Sequence, residues 1–188
     1  MKKFVALCLI LALCIAACEN RQQNKDPKDL AEDQNEARFN NTKIEDDAEF
    51  AVKAADGGMM EVELGRLAQT KAVHKEVNDF GAMMVADHTG ANKELQSLAQ
   101  TRNISLPAAL GEDKQKKYDE LNSKQASEFD REYISFMIKD HKEYIEDFRE
   151  QSNEGKDAEL RNWASSKIPT LEHHLAEAQR IDSLLRSK

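Results

Sequence analysis

The sequence predicts an all-α protein, a four-helix bundle with one long crossover that carries a short extra helix. Three observations lead there. Only 7 Gly and 3 Pro in 188 residues, with 6% aromatics, leave few strand and turn signals, which argues against an all-β sandwich. From about residue 46 onward, apolar residues recur at steps of three and four, the spacing of a helix face. The helical segments so defined are joined by two tight links and one long one. A chain that is 40% hydrophobic and 33% charged suffices for one compact domain and not for two.

The chain opens on an export signal. Met1–Lys2–Lys3 gives a positive start, and Phe4 to Ala17 is nearly all apolar and uncharged. That run is shorter than the ~20 residues a transmembrane helix needs, and it suits the core of a signal peptide. It ends Ile15–Ala16–Ala17–Cys18, which resembles a bacterial lipobox. Residues 1–17 are therefore expected to leave as a lipoprotein signal peptide, with Cys18 lipidated as the new N-terminus. The alternative is an ordinary secretory peptide cleaved near Ala17. The three cysteines are Cys8, Cys14 and Cys18, so the mature chain would hold no free thiol and no disulfide. Thiolate metal sites and cysteine nucleophiles are thereby excluded. The membrane is the expected partner through this lipid, since a multiply acylated Cys anchors stably.

Residues 18–45 are polar, with Pro27 among Asn, Gln, Asp, Lys and Glu, and predict a flexible tether with some helix near Leu30–Phe39. The bundle occupies residues 46–188. Its four long helices are expected over 47–71, 75–102, 127–153 and 157–186, with the short one near 111–122. Asn103 ends the second before Leu106–Pro107, Gly155 separates the third from the fourth, and Asp157 can cap the fourth. The first and last pairs are tightly linked and so antiparallel. The link between the second and third helices, about 24 residues, is long enough to run the length of a bundle, which is the ferritin-like arrangement. An irregular packing of five helices is the alternative.

Helical phase then places the polar residues. The seams run Phe50, Ala54, Gly57, Glu61, Leu64, Ala68; Val77, Phe80, Met84, His88, Ala91, Leu95, Leu98; Ile134, Met137, His141, Tyr144, Phe148; and Leu171, His174, Leu175, Ala178, Ile181. Each helix thus offers one ligand-capable side chain to the interior: Glu61, His88, His141 and His174. At about 1.5 Å per residue they lie ~15, ~20, ~21 and ~18 Å from one end of the bundle, within roughly one helical turn. His173 is rotated by about 100° from His174 and should face outward. His74 falls at a turn as a capping or exposed residue, and Trp163 reads as core. Met84–Val85–Ala86–Asp87–His88 is echoed by Met137–Ile138–Lys139–Asp140–His141, suggesting two related hairpins. Met84 and Met137 are thioether ligands or core residues. Asp87 and Asp140 either orient the imidazoles, extend the site, or are solvated flank charges.

Several runs resemble a known family. Gly58–Met59–Met60–Glu61–Val62–Glu63–Leu64–Gly65 with Leu67–Ala68, then Met84 to His88 with Ala91–Asn92, Phe129–Asp130, Tyr133, Met137, Asp140–His141 and Ile168–Pro169–Thr170–Leu171 with His174–Leu175 are similar to the bacterial predicted outer-membrane proteins of domain of unknown function 4142. The likeness covers about residues 46–182. It implies a ferritin-like bundle and an envelope location, the outer membrane favoured over the inner. More distantly, the chain resembles small Met- and His-containing helical proteins of copper handling.

Three imidazoles and a carboxylate suit Cu, Zn or Fe, and also Ni, better than Mg or Ca. The dinuclear oxidases of ferritin-like bundles need Glu-x-x-His, but Val85, Ile138 and Leu171 stand three residues before His88, His141 and His174. Ferroxidase or oxygenase chemistry is therefore disfavoured, and no P-loop, GxGxxG, GxSxG or HExxH run is present. With 35 Asp+Glu against 27 Lys+Arg and a net charge of −8, nucleic acid is a poor partner. Two readings remain: a lipid-anchored metal-binding module of the envelope, or a structural or stress-related interaction lipoprotein whose buried polar groups pair without metal. The sequence identifies no protein partner.

Overall fold

A computed structural model describes residues 25–187 of the chain. The expected signal peptide and Cys18 lie outside the described residues. Among the described residues six helices follow one another: α1 Pro27–Phe39, α2 Glu45–Lys71, α3 Lys75–Arg102, α4 Glu112–Ser123, α5 Ala126–Glu154 and α6 Ala158–Arg186. Helices α2 and α3 form one hairpin and α5 and α6 the other, α2 packs on α5, and α3 on α6. This is an all-α bundle of four long helices with one long crossover carrying the short helix α4.

Local chemistry explains the ends. Asn103 adopts a left-handed conformation (φ 55°), and its N–H and that of Ile104 return to the last turn of α3. Asp157 accepts from the backbone N–H groups of Glu159 and Leu160 at the start of α6. Helix α6 runs through Pro169, which brings no N–H to the helical ladder.

Within the segment expected to be a tether, Pro27–Phe39 forms a helix that docks on the bundle. Asp26 caps α1 by accepting from Lys28 N–H, Pro27 opens the helix, and Ala31, Asn35 and Phe39 repeat at i, i+4, i+8 to give a buried stripe. Asn35 exchanges two hydrogen bonds with the backbone of Ser105, at 2.8 and 2.7 Å. The charge-rich composition hid a narrow docking face.

Two buried apolar clusters fill the interior. One contains Leu95, Tyr144, Phe148, Leu160, Trp163 and Leu171; the other contains Leu64, Phe80, Met84, Tyr133, Met137 and Ile181. Burial of such side chains drives the assembly, at roughly 1.5–3 kcal/mol for each large residue. In the second cluster α2 and α3 touch backbone to backbone. A Cβ on Gly65 or Gly81 would lie 2.7 Å from the other residue's carbonyl oxygen, so only glycine permits this crossing.

Three buried carboxylates hold the loops. Asp130 on α5 accepts from the backbone N–H of Val73 and His74 and pairs with the His74 ring at 2.7 Å. Asp47 on α2 accepts from Gln151 and from the backbone N–H of Lys156 and Asp157. Asp56 accepts from Gly111 N–H at 2.8 Å and pins the crossover. Asp47 and Asp130 stand 83 residues apart, as do the turn residues they hold, Val73 and Lys156, and His74 and Asp157. The hairpins are therefore related at that offset, α2 to α5 and α3 to α6. The Met–x–x–Asp–His echo links α3 to α5, which this relation does not equate.

Candidate metal centre

Between the two apolar clusters lies a polar layer. Glu61 from α2, His88 from α3, His141 from α5 and His174 from α6 are all buried, three of them completely and His88 with 7% exposure. His173 is exposed, Trp163 is core, and His74 serves the turn through Asp130.

The four side chains do not form a single equidistant set. Ligand atoms of His88, His141 and His174 all lie within 4.8 Å of one another, and a second group of the same tightness joins Glu61, Asp140 and His141. His141 belongs to both. Asp87 stands outside these groups but holds His174, with Oδ2 2.8 Å from Nε2. Met84 and Met137 are fully buried in the second apolar cluster.

The hydrogen bonds assign the ring protons. His141 Nδ1 is 3.0 Å from the carbonyl oxygen of Met137, which can only accept, so Nδ1 carries the hydrogen. His174 Nε2 donates to Asp87, which leaves Nδ1 with a lone pair. The two remaining nitrogens, His141 Nε2 and His174 Nδ1, face each other at 3.3 Å. Without a further proton or a cation, two lone pairs meet there. A hydrogen bond would require an imidazolium. Burial pushes His141 down to about 4, partly offset by the charge of Glu61, and it also lowers His174. At neutral pH the extra proton is thus disfavoured. The edge of a tetrahedron around a metal with bonds of ~2.05 Å is about 3.3 Å, the separation found.

His88 completes the face. Burial pushes it down to about 4, and its Nε2 has no hydrogen-bond partner in the protein. Its Nδ1 approaches Glu61 Oε2 at 2.8 Å, but the contact lacks the direction of a hydrogen bond, and the Glu61 carboxyl finds no donor apart from a proton shared with Asp140. Asp140 is pushed up to about 7, first by burial and then by the Glu61 charge. Glu61 is itself raised by burial, against the opposing pull of His141 and His174. Buried polar atoms without partners are rare and call for an explanation such as an ion.

The outer supports are those of ligating histidines: a backbone carbonyl on His141 and a carboxylate on His174 fix ring and tautomer. Sequence reasoning placed Asp140 beside the cluster. It missed that Asp140 pairs with Glu61 rather than merely flanking His141, because a one-residue step on a helix gives no sign of tilt towards a neighbouring helix.

A family model described as a domain of unknown function (DUF4142) matches residues 29–181. Neither the curated proteins nor the solved structures include a match to the chain.

Proposed function

We propose that this chain, which belongs to the DUF4142 family, binds one transition-metal ion through His88, His141 and His174 and works as a lipid-anchored metal-binding module of the cell envelope. The observation that carries the metal reading is the pair of facing lone pairs on His141 and His174, with the unpartnered His88 Nε2 beside them. Three neutral imidazoles suit Cu, Zn or Fe. Glu61 lies against the His88 ring, with Oε2 2.8 Å from Nδ1. A metal-free polar core would have to pair these atoms through water or protonate a ring that burial keeps neutral.

The test is titration of the metal-free full chain with Cu(I), Zn(II) and Co(II), followed by calorimetry and, for Co(II), by absorption. One ion per chain is expected for at least one of them. The pH dependence is distinctive. An exposed histidine site weakens as pH falls through about 6.5. Here burial lowers all three rings, His88 and His141 to about 4, so affinity should persist below pH 6.5 and fall only at lower pH. No stoichiometric binding above that of a His88→Ala/His141→Ala/His174→Ala chain would refute the proposal.

The anchor is supported by the charge, length and small residues that lead to Cys18. Among the described residues no helix is long and apolar enough to cross a membrane. Helix α1 begins at Pro27, so the chain after Cys18 reaches at most ~30 Å, and the bundle would sit close to the bilayer. The family resemblance favours the outer membrane. Cys18→Ala should move the protein from the membrane fraction to the soluble fraction; unchanged membrane retention would defeat the anchor.

A further inference from the structure

We infer that Glu61 and Asp140 form a second cation site, which receives a divalent metal ion from an acidic groove between α2 and α5 and passes it to the three histidines, with Lys114 as the tethered cation that closes it. The inference rests on the histidine-site reading above.

The carboxyl pair is the first support. Glu61 and Asp140 come from different helices, yet their oxygens lie within 4.8 Å of each other and of a His141 nitrogen. Three of the four oxygens, Glu61 Oε1, Glu61 Oε2 and Asp140 Oδ2, find no hydrogen-bond donor in the protein apart from a proton that the two carboxyls share between them. The fourth, Asp140 Oδ1, has Lys114 Nζ at 3.7 Å, too far for a hydrogen bond. Two adjacent buried carboxyls without donors repel when ionised, and a divalent cation between them satisfies both with hard oxygen ligands.

Position is the second support. Asp140 is only 6% exposed, and it lines the inner wall of a groove of about 890 Å³. Glu61 does not line that groove. It lines a smaller cavity of about 290 Å³ that also touches His88 and His174. The carboxyl pair therefore spans from groove to histidines, and His141, common to both ligand groups, closes the remaining distance.

Charge gives direction. Thirteen carboxylate residues and five lysines line the groove, so its field gathers cations. Acidic helix flanks alone would be an ordinary solvated face. What turns this one into a path is the unpartnered Asp140 oxygen at its inner end.

Lys114 supplies the gate. It stands on α4, half-buried, with its ammonium 5.9 Å from the centre of the Tyr144 ring. Helix α4 is tied down at its start by Asp26, which accepts from Glu112 N–H, and by Asp56 through Gly111. An arriving ion must displace the Lys114 ammonium from Asp140 and the proton that the carboxyl pair shares, which leaves to the solvent of the groove as the coordination bonds form.

The experiment is stopped-flow uptake of Co(II) by the full chain, read at the histidine-site absorption. Asp140→Asn is expected to slow association and dissociation together by about tenfold or more, since a relay speeds both directions. Asp140→Glu should restore most of the rate, which separates loss of the relay from misfolding. Lys114→Ala should raise the association rate several-fold. Wild-type association rates in Asp140→Asn, or an unchanged rate in Lys114→Ala, would overturn the relay or the gate while leaving the histidine site standing. A wild-type chain that takes up no Co(II), Zn(II) or Cu(I) would overturn both readings.

Discussion

His141→Ala is expected to abolish stoichiometric metal binding, with a loss of at least about 10³-fold in affinity, or roughly 4 kcal/mol. His141 is the residue whose removal should cost most, because its Nε2 meets the His174 lone pair while the Met137 carbonyl fixes its ring. Its Nε2 faces His174 at 3.3 Å and its Nδ1 lies 3.5 Å from Glu61 Oε1. The measurement is thermal unfolding with and without metal. A ligand that binds the folded chain alone at a thousand times its Kd adds about 4 kcal/mol. The wild-type chain should show that upward shift of Tm, and His141→Ala should show none. His173→Ala is the control, since His173 is exposed beside the buried His174 and should keep the full shift. A metal-dependent shift that survives in His141→Ala would remove this residue from the centre.

Phase along a helix is a local property, and it was legible. Glu61, His88, His141 and His174 could be placed on inner faces because the apolar residues around each recur at helical spacing. The ends of α3 at Lys75 and Arg102 follow from the turn before it and from Asn103 after it. Docking of α1 was not legible, because a stripe of Ala31, Asn35 and Phe39 in a charged segment differs little from a solvated helix until the backbone of Ser105 meets Asn35. The burial of Asp47, Asp56 and Asp130 was hidden for the same reason. An acid on a helix reads as surface, and only the N–H groups of a distant loop reveal otherwise. The pairing of Asp140 with Glu61 likewise depends on how two helices lean together, which spacing along one helix does not encode.

Loss of Asp130 or of Asp47 should have the largest effect on the fold itself, at about 3 kcal/mol each. Asp130→Ala strips acceptors from two backbone N–H groups and from the His74 ring, and Asp47→Ala strips them from Lys156, Asp157 and Gln151. Hydrogen bonds to charged groups contribute roughly 1.5–3 kcal/mol, and of the donors freed only Gln151 is buried, the others regaining part of the loss from water. Asn at either position keeps one acceptor oxygen and should recover part of it. Urea unfolding checks this, and a change below about 0.5 kcal/mol in both alanine variants would show that solvent serves these turns as well as the carboxylates do. The consequence reaches the centre. Asp130 ties α5 to the turn that joins α2 and α3, and Asp47 ties α2 to the turn that joins α5 and α6. These two carboxylates therefore set the heights at which Glu61, His88, His141 and His174 stand. A shift of one residue along a helix moves a side chain by 1.5 Å and turns it by about 100°, enough to take a nitrogen out of a shell of ~2 Å bonds. Either alanine variant should accordingly weaken metal binding even though neither residue is a ligand, and the two losses should exceed their sum when combined, because both act on the same register.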